Sequence, residues 1–469
     1  MGFGISDWRL ARTVSKLGQL GVVSGTALDV VVARKLQAGD PGGHVRRALE
    51  HFPFQPLARR IIDTHYVPGG LPDQVPYKKI PMHDLEGRRD AQELCIVGNF
   101  VEVFLAREGH ANPVGINYLE KIQIPHLPSI YGAMLAGVAV VIMGAGIPLS
   151  IPGALDALAR HQPVEYPVNV IGPGGGNEIF KLPFDPSRFS AGEPVPPPLV
   201  RPDFLPIVSS TGLASILQRK ASGSIEGFIV EGNLAGGHNA PPRGRAPLAP
   251  GDEPVYGPRD VVDLAAFREY GLPFWLAGMY GSPERLQRAR DEGAVGVQVG
   301  TAFALCKESG LLPELRRELI REAAAGKARI FTDAQASPTG FPFKVADLAG
   351  SLSEEAVYRQ RRRICDIGFL RQPYRKSDGT IGYRCAAEPV GAYVAKGGKE
   401  EDTVGRKCLC NALAANIGMP QRLPDGSYEK PLVTMGDDLV DIARFCARDQ
   451  LDYSAADVIR VMLGAKRPG

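Results

Sequence analysis

The 469-residue sequence lacks any apolar run of the roughly 18 residues that a membrane-spanning helix needs. Its longest candidate, residues 137–147, is short and contains glycines. The N-terminal MGFGISDWRLAR has no basic region followed by an apolar stretch, so it does not resemble a secretory signal. We therefore expect a cytoplasmic protein with no membrane partner.

The sequence also has little net charge and few cysteines. Lys and Arg number 54 against 51 Asp and Glu, a net charge of +3, which does not indicate a nucleic-acid partner. Seven cysteines, an odd number in so long a chain, do not suit a disulfide scaffold and favour a reducing compartment. No repeat of fixed period is present.

What the sequence contains is an alternation of short β-branched runs with amphipathic helical segments, which is typical of βα units and a buried parallel sheet. The predicted strands are residues 21–24, 113–117, 139–143, 205–209, 227–231, 273–277 and 294–299. The predicted helices include residues 8–17, 85–107, 152–161, 212–220, 261–270 and 283–292. Seven strands are one short of an eight-stranded barrel, and Gly2 to Gly4 stand where the turn after a first strand would fall.

The pattern predicts an α/β fold, a (β/α)8 TIM barrel with helical insertions and a C-terminal cap or appended domain. The barrel is expected over residues 1–310, with insertions at about 26–81 and 161–202. Residues 311–469 are expected to form a helical cap and a cysteine-containing C-terminal region. A doubly wound open sheet is the alternative architecture.

A glycine-rich loop with one histidine, GNLAGGHNAPP, follows the fifth predicted strand. Paired glycines let a backbone approach a flat ligand closely, and His238 is of the residue type that titrates near neutrality and moves protons. In a barrel, the loops after the strands form the active site. The alternative interpretation is a surface histidine without a catalytic role.

Small-residue turns follow the sixth and seventh predicted strands, AGMYGSP and QVGTAF. A turn from strand into helix presents free backbone N–H groups at the positive end of the helix dipole, which favours a phosphate. Barrels commonly bind phosphate after their last two strands. The adjacent pair of turns therefore predicts a ligand that carries a phosphate group.

The segments EGNLAGGHNAPPRG and FWLAGMYGSPERLQRARDEGAVGVQVGTAFALCKESG resemble the nitronate monooxygenase family, formerly called 2-nitropropane dioxygenases. Flavin-dependent enoyl-ACP reductases are relatives of that family. The segments GFGISDWRLARTVSKLGQLGVVSGT and FTDAQASPTGFPFKV are also similar to it, so the resemblance runs with gaps from residue 2 to about residue 350. It implies an FMN-binding TIM barrel, a flavoprotein monooxygenase that oxidises alkyl nitronates with dioxygen.

The resemblance also implies roles for particular residues. His238 would be the catalytic residue, and the implied cofactor-binding residues are Asn117, Gly236, Gly237, Gly278, Gly281, Gln298, Gly300 and Thr301. Met279 stands where a second glycine is usual in the family. Only Met1-Gly2 remains of the family's first strand, so an upstream start of the native chain is one interpretation.

Two other activities stay open. An enoyl reductase of fatty-acid or polyketide synthesis would use NAD(P)H as reductant and His238 as proton donor. A flavin-free, phosphate-binding barrel, an isomerase or lyase, belongs to a different class. The expected partners are a small-molecule substrate and dioxygen, and a homo-oligomer is left open.

Four cysteines, Cys365, Cys385, Cys408 and Cys410, lie close together in the sequence. Four thiolates can hold zinc or an iron–sulfur cluster, but the usual zinc pattern of two C-x2-C pairs is absent. We expect buried free thiols and no metal, with a metal site as the minority hypothesis. Residues 361–363, three arginines, are expected to form a solvated helix face.

Overall fold

The structure, a computed structural model, describes residues 2–190, 192–244, 252–448 and 450–464. The strands within these residues are β1 (Gly21–Ser24), β2 (Val114–Leu119), β3 (Val140–Gly144), β4 (Val164–Ile171), β5 (Asn177–Phe184), β6 (Asp203–Val208), β7 (Phe228–Glu231), β8 (Gly237–His238), β9 (Phe274–Ala277), β10 (Gly296–Gln298), β11 (Ile330–Asp333), β12 (Phe343–Ala346), β13 (Gln372–Arg375) and β14 (Ile381–Arg384).

The α-helices are α1 (Trp8–Lys16), α2 (Leu28–Gln37), α3 (His44–Glu50), α4 (Gln55–His65), α5 (Arg89–Arg107), α6 (His126–Leu135), α7 (Ile151–Ala159), α8 (Thr211–Lys220), α9 (Leu264–Glu269), α10 (Pro283–Asp291), α11 (Thr301–Ala304), α12 (Pro313–Ala324), α13 (Glu355–Gln360), α14 (Val390–Ala395), α15 (Leu409–Ala415) and α16 (Ala455–Met462). Short 3₁₀ helices span Pro41–Gly43, Pro173–Gly175, Pro186–Phe189, Pro258–Asp260, Glu400–Thr403 and Asp437–Phe445.

The main sheet contains seven parallel strands in the order β1-β2-β3-β6-β7-β9-β10. Each of these strands lies beside the one that precedes it along the chain, and the order never reverses. A doubly wound sheet reverses its order at a switch point, so that alternative is wrong. The steady order is that of a (β/α) barrel, and the α/β prediction is confirmed.

All seven predicted strands are present within a few residues of their expected bounds. They were recognisable because parallel strands covered on both faces are continuous apolar runs; all five residues of β3 are buried. Val22 of β1 and Val297 of β10 line one cavity, so the sheet curls until its edge strands face each other. In the described residues no strand fills the space between these edges: Met1 lies outside them, and residues 3–5 form a turn.

The two insertions differ from each other. Residues 26–81 contain α2, α3 and α4, as expected for a helical segment. The helical expectation for residues 161–202 is wrong, because β4 and β5 form an antiparallel hairpin there. Buried residues alternate along β4 at Tyr166, Val168 and Val170, which is the period of a half-buried strand. The hairpin joins β13 and β14 in a four-stranded sheet.

The C-terminal region is mixed rather than helical, since it contains β11 to β14 as well as α12 to α16. It also shares a core with the barrel: Leu319, Met435 and Phe445 pack in one cluster with Leu10 and Ala302. The expected solvated face at residues 361–363 is wrong for Arg361, whose side chain is 5% exposed in a two-bond ion pair with Glu429, whereas Arg362 is exposed. Residues 449 and 465–469 of this region lie outside the described residues.

The helices next to β2 and β3 are packed with little space to spare. α5 and α6 lie against each other, and Gly132 of α6 meets the backbone of Ile96 in α5 so closely that a Cβ would overlap the Ile96 carbonyl oxygen.

Among the described helices, none is long and apolar enough to cross a lipid bilayer.

We predict that Gly132→Ala destabilises the protein by about 1–3 kcal/mol, because the added methyl group overpacks the α5–α6 contact. Gly391→Ala in α14 is the matched control, since a Cβ there meets no atom within 4 Å. The control should be neutral or stabilising by up to about 1 kcal/mol through helix propensity. Urea unfolding measures both, and equal effects would contradict the prediction.

Candidate active site

A cavity of about 400 Å³ opens at the carboxyl ends of β7, β9 and β10 and extends into the curled sheet. This volume lies within the range of small-molecule binding sites. Apolar side chains from four strands form its inner wall: Ile142, Leu205, Ile229 and Trp275. A flat, largely apolar ligand could therefore be buried against the strands.

Six of the nine predicted site residues line this cavity: Gly236, Gly237, Gly278, Gln298, Gly300 and Thr301. The other three, Asn117, Gly281 and His238, are not part of its wall. Asn117 lies within β2, two residues before its end, and its carbonyl oxygen accepts a hydrogen bond from the Gly25 N–H at 2.8 Å. Gly281 is buried against the Asp438 carboxylate.

Residues 433–438 close one side of the cavity, and the sequence motifs did not indicate them. The N–H of Gly237 donates to Thr434 Oγ1 at 2.8 Å, and the N–H of Gly436 donates to Thr301 Oγ1 at 2.9 Å. Thr434 in turn donates its hydroxyl to the carbonyl oxygen of Lys344 at 2.6 Å. This segment thus ties the glycine loop to the turn after β10.

Met279, which stands where a second glycine is usual in the family that the sequence resembles, has a glycine-like backbone conformation. It adopts φ +60°, in the left-handed region that glycine enters without steric cost. The preceding Gly278 has φ +96°, and Arg285 donates to the carbonyl oxygen of Met279 at 2.6 Å. The turn after β9 therefore keeps a glycine-like backbone despite its methionine side chain.

The two turns that were expected to bind phosphate receive a weaker helix dipole than the sequence suggested. The helix that follows β10, α11, has only four residues, and the N-cap of α10 is satisfied by Ser282, whose hydroxyl accepts from the Arg285 N–H at 3.3 Å. Gln298 Oε1 is buried without a hydrogen-bond partner in the described part of the chain. This unsatisfied acceptor, which lies on the cavity wall, is suited to a ligand that donates a hydrogen bond.

His238 lies beside the cavity and is not a free surface residue. Its Nε2 is 2.7 Å from Ser337 Oγ, and its ring packs edge-on against Phe343. β8, which carries His238, pairs with β12 in a small antiparallel sheet. Burial lowers the pKa of His238 to about 3, so the ring is neutral near pH 7 in this structure.

Glu231 is the cavity residue that our sequence reasoning missed. It is the last residue of β7 and lines the cavity. In the sheet register, Glu231 of β7 pairs with Ala277 of β9, and Ala277 pairs with Gln298 of β10. Burial raises the pKa of Glu231 to about 7, because the carboxylate exchanges bulk water for the cavity. Its position two residues after the inward-facing Ile229 was the signal that could have identified it, since alternate strand residues share a face.

No protein-family model matches the chain, and no curated protein sequence matches it. Solved structures with similar coordinates include FabK from Thermotoga maritima, with 14% identity, a TM-score of 0.48, and coverage of 99% of this chain and 90% of that one. Nitroalkane oxidase from Streptomyces ansochromogenes has 14% identity, a TM-score of 0.46, and coverage of 99% and 93%.

The enoyl reductase domain of MlnA, from the macrolactin biosynthesis cluster of Bacillus amyloliquefaciens, has 11% identity and a TM-score of 0.48. The match covers 98% of this chain and 91% of that one. At such identities and TM-scores the likeness does not by itself assign an activity.

We predict that Glu231→Gln changes how stability depends on pH. A carboxyl whose pKa is raised by folding stabilises the protein fully below its unfolded pKa and loses that contribution as pH rises through its folded pKa. From about pH 4.3 to the folded pKa of about 7, the wild type should lose roughly 3 kcal/mol that Glu231→Gln keeps.

Urea unfolding of both proteins at several pH values across this window tests the expectation. Glu269→Gln, at an exposed position at the end of α9, is the matched control and should follow the wild type. Parallel curves for Glu231→Gln and the wild type would show that Glu231 does not titrate in this window.

Proposed function

We propose that the protein is an FMN-dependent oxidoreductase, similar to nitronate monooxygenases, that oxidises alkyl nitronates with dioxygen. The observation that carries the proposal is one cavity that joins the glycine loop, Gly236 and Gly237, to the turns after β9 and β10. The family resemblance implies flavin contacts at these same positions.

The residues present fit FMN in two respects. A Cβ placed on Gly237 or on Gly300 would meet no atom within 4 Å, so both backbones border open space. Gln298 Oε1 lacks a hydrogen-bond partner in the described residues, and a flavin ring or ribityl chain has donors to offer it. When bound, FMN would accept an electron pair from the substrate and pass electrons to dioxygen.

Proton removal from a neutral nitroalkane needs a base whose pKa is close to the working pH. Glu231 meets this condition, with a pKa of about 7 and a position on the cavity wall. His238, neutral and hydrogen-bonded to Ser337, is suited to orienting the anionic nitronate or the glycine loop. We propose Glu231 as the base and His238, the residue implied by the family, as the orienting group.

We predict that the purified protein is yellow and releases FMN rather than FAD. The two small-residue turns after β9 and β10 offer a site for one terminal phosphate, and the sequence has no G-x-G-x-x-G fingerprint opening a βαβ unit. Heat release followed by chromatography identifies the cofactor. FAD, or a colourless protein that binds no added FMN, would refute the proposal and favour the flavin-free isomerase or lyase.

The enoyl-reductase alternative is separated by anaerobic reduction. For the proposed activity, a nitronate should bleach the flavin absorbance and NADPH should not. Rapid bleaching by NADPH or NADH would reassign the protein to the enoyl reductases. The cofactor identity would be the same in both cases, so this measurement addresses the substrate alone.

We predict that Glu231→Gln lowers the rate with a neutral nitroalkane by roughly 10²-fold to 10⁴-fold and has much less effect with the preformed nitronate. The nitronate has already lost this proton, so the two substrates differ only in whether the enzyme must remove it. His238→Ala should retain FMN and lower both rates to a similar extent. If His238→Ala shows the selective loss instead, then His238 is the base and the assignment of Glu231 is wrong.

A further inference from the structure

A second, much smaller cavity lies in the C-terminal region, apart from the candidate active site. Its volume is about 10 Å³. Four thiols line it, the four-cysteine cluster: Cys365, Cys385, Cys408 and Cys410. They come from the segment after α13, the end of β14 and the start of α15. The fold thus brings together cysteines that lie up to 45 positions apart in the sequence, from Cys365 to Cys410.

One buried acceptor in the wall of this cavity lacks a hydrogen-bond donor in the described residues. Glu388 lines it and is only 4% exposed, and its Oε1 has no hydrogen-bond partner in the described residues. The other oxygen of this carboxylate accepts from Lys396 Nζ at 2.7 Å. A buried acceptor without a donor is costly, and a cation held by thiolates in the cavity would compensate it.

Positive charge is available to balance thiolates. Arg361 binds Glu429 through Nε and Nη2 at 2.7 and 2.6 Å, while its buried Nη1 has no partner in the described residues. Arg371 also lines the cavity. Four thiolates around a divalent cation carry two net negative charges, and Arg371 can offset one of them, since Glu429 already balances the charge of Arg361.

We propose that the four-cysteine cluster binds one Zn²⁺ ion as a structural site. Closed tetrahedral sites with four cysteine ligands are typical of structural zinc. The cavity has the volume of about one water-sized sphere, which suits a single ion and is too small for a cluster of several iron and sulfur atoms. This proposal does not depend on the flavin or on the proposed activity.

In the described residues no three potential ligand side chains already stand in a metal-binding arrangement. Cys365, Cys385, Cys408 and Cys410 form no disulfide in the described residues, so no such bond prevents the cluster from rearranging. Each cysteine can redirect its sulfur by rotation about a single bond, and the shared cavity gives the four sulfurs a common point to turn toward. Zinc binding would therefore be accompanied by small side-chain rotations.

A metal crosslink would stabilise this part of the C-terminal region. β13 and β14 have four residues each and α14 has six, and within the described residues the small apolar cluster around the cavity has Cys385, Ala387 and Cys408 as its buried members. Short elements with so small a core are commonly stabilised by a metal or disulfides. The N–H of Lys407 also donates to the Ala336 carbonyl at 2.9 Å, so the site would support the loop that holds Ser337 against His238.

The test is elemental analysis of the full chain, purified without chelators from cells grown with added zinc. We expect about one zinc per chain in the wild type and a loss of most of it in Cys408→Ser. Cys306→Ser is the matched control: its thiol donates to the Phe303 carbonyl, outside the cluster, and a hydroxyl can do the same. The control should keep its zinc.

A second measurement covers the case in which Cys408→Ser does not fold. Wild-type protein loaded with Co²⁺ should show the intense sulfur-to-cobalt absorption of a tetrathiolate site, and removing the metal should increase hydrogen exchange in residues 361–411. Iron with acid-labile sulfide, a disulfide between cluster cysteines, or protein that stays metal-free after zinc is added would each overturn the proposal. An FMN-free protein that contains zinc would refute the proposed function alone.

Discussion

The close approach of two glycines holds the candidate active site together. A Cβ on Gly236 would lie 2.8 Å from Gly436 N, and one on Gly436 would lie 2.8 Å from the Leu234 carbonyl oxygen. Only glycine at both positions lets residues 433–438 pack directly on the loop after β7. The hydrogen bonds from Gly237 to Thr434 and from Gly436 to Thr301, and the pairing of β8 with β12, all depend on this contact.

A buried ion pair reinforces the same contact. Lys344 of β12 binds Asp437 at 2.6 Å, and Lys344 is 5% exposed. Removing Asp437 would leave the buried Lys344 charge without compensation, which costs more than the intact pair contributes. The C-terminal region is thus part of the cavity wall rather than an independent lid, and the shared core of Leu10, Ala302 and Met435 leads to the same view.

The sequence allowed the strands of the barrel and six of the cavity's residues to be predicted, because both are encoded locally. A buried parallel strand is a run of apolar residues, and a βα turn carries its glycines next to that run. The contacts of Thr434 with Gly237 and of Ser337 with His238 join residues 197 and 99 positions apart, and no local pattern encodes them. Arg361 was misjudged for the same reason, since its partner Glu429 is 68 positions away.

The opposite pKa shifts of Glu231 and His238 have one cause, which is burial. Near neutral pH His238 is therefore uncharged, whereas Glu231 is divided between its neutral acid and its carboxylate. Once an anionic ligand is bound, its charge raises both pKa values: His238 moves toward its ordinary range, whereas Glu231 becomes harder to ionise. A bound anion therefore favours the protonated form of both groups, and the division of work between base and orienting group depends on the charge of the ligand.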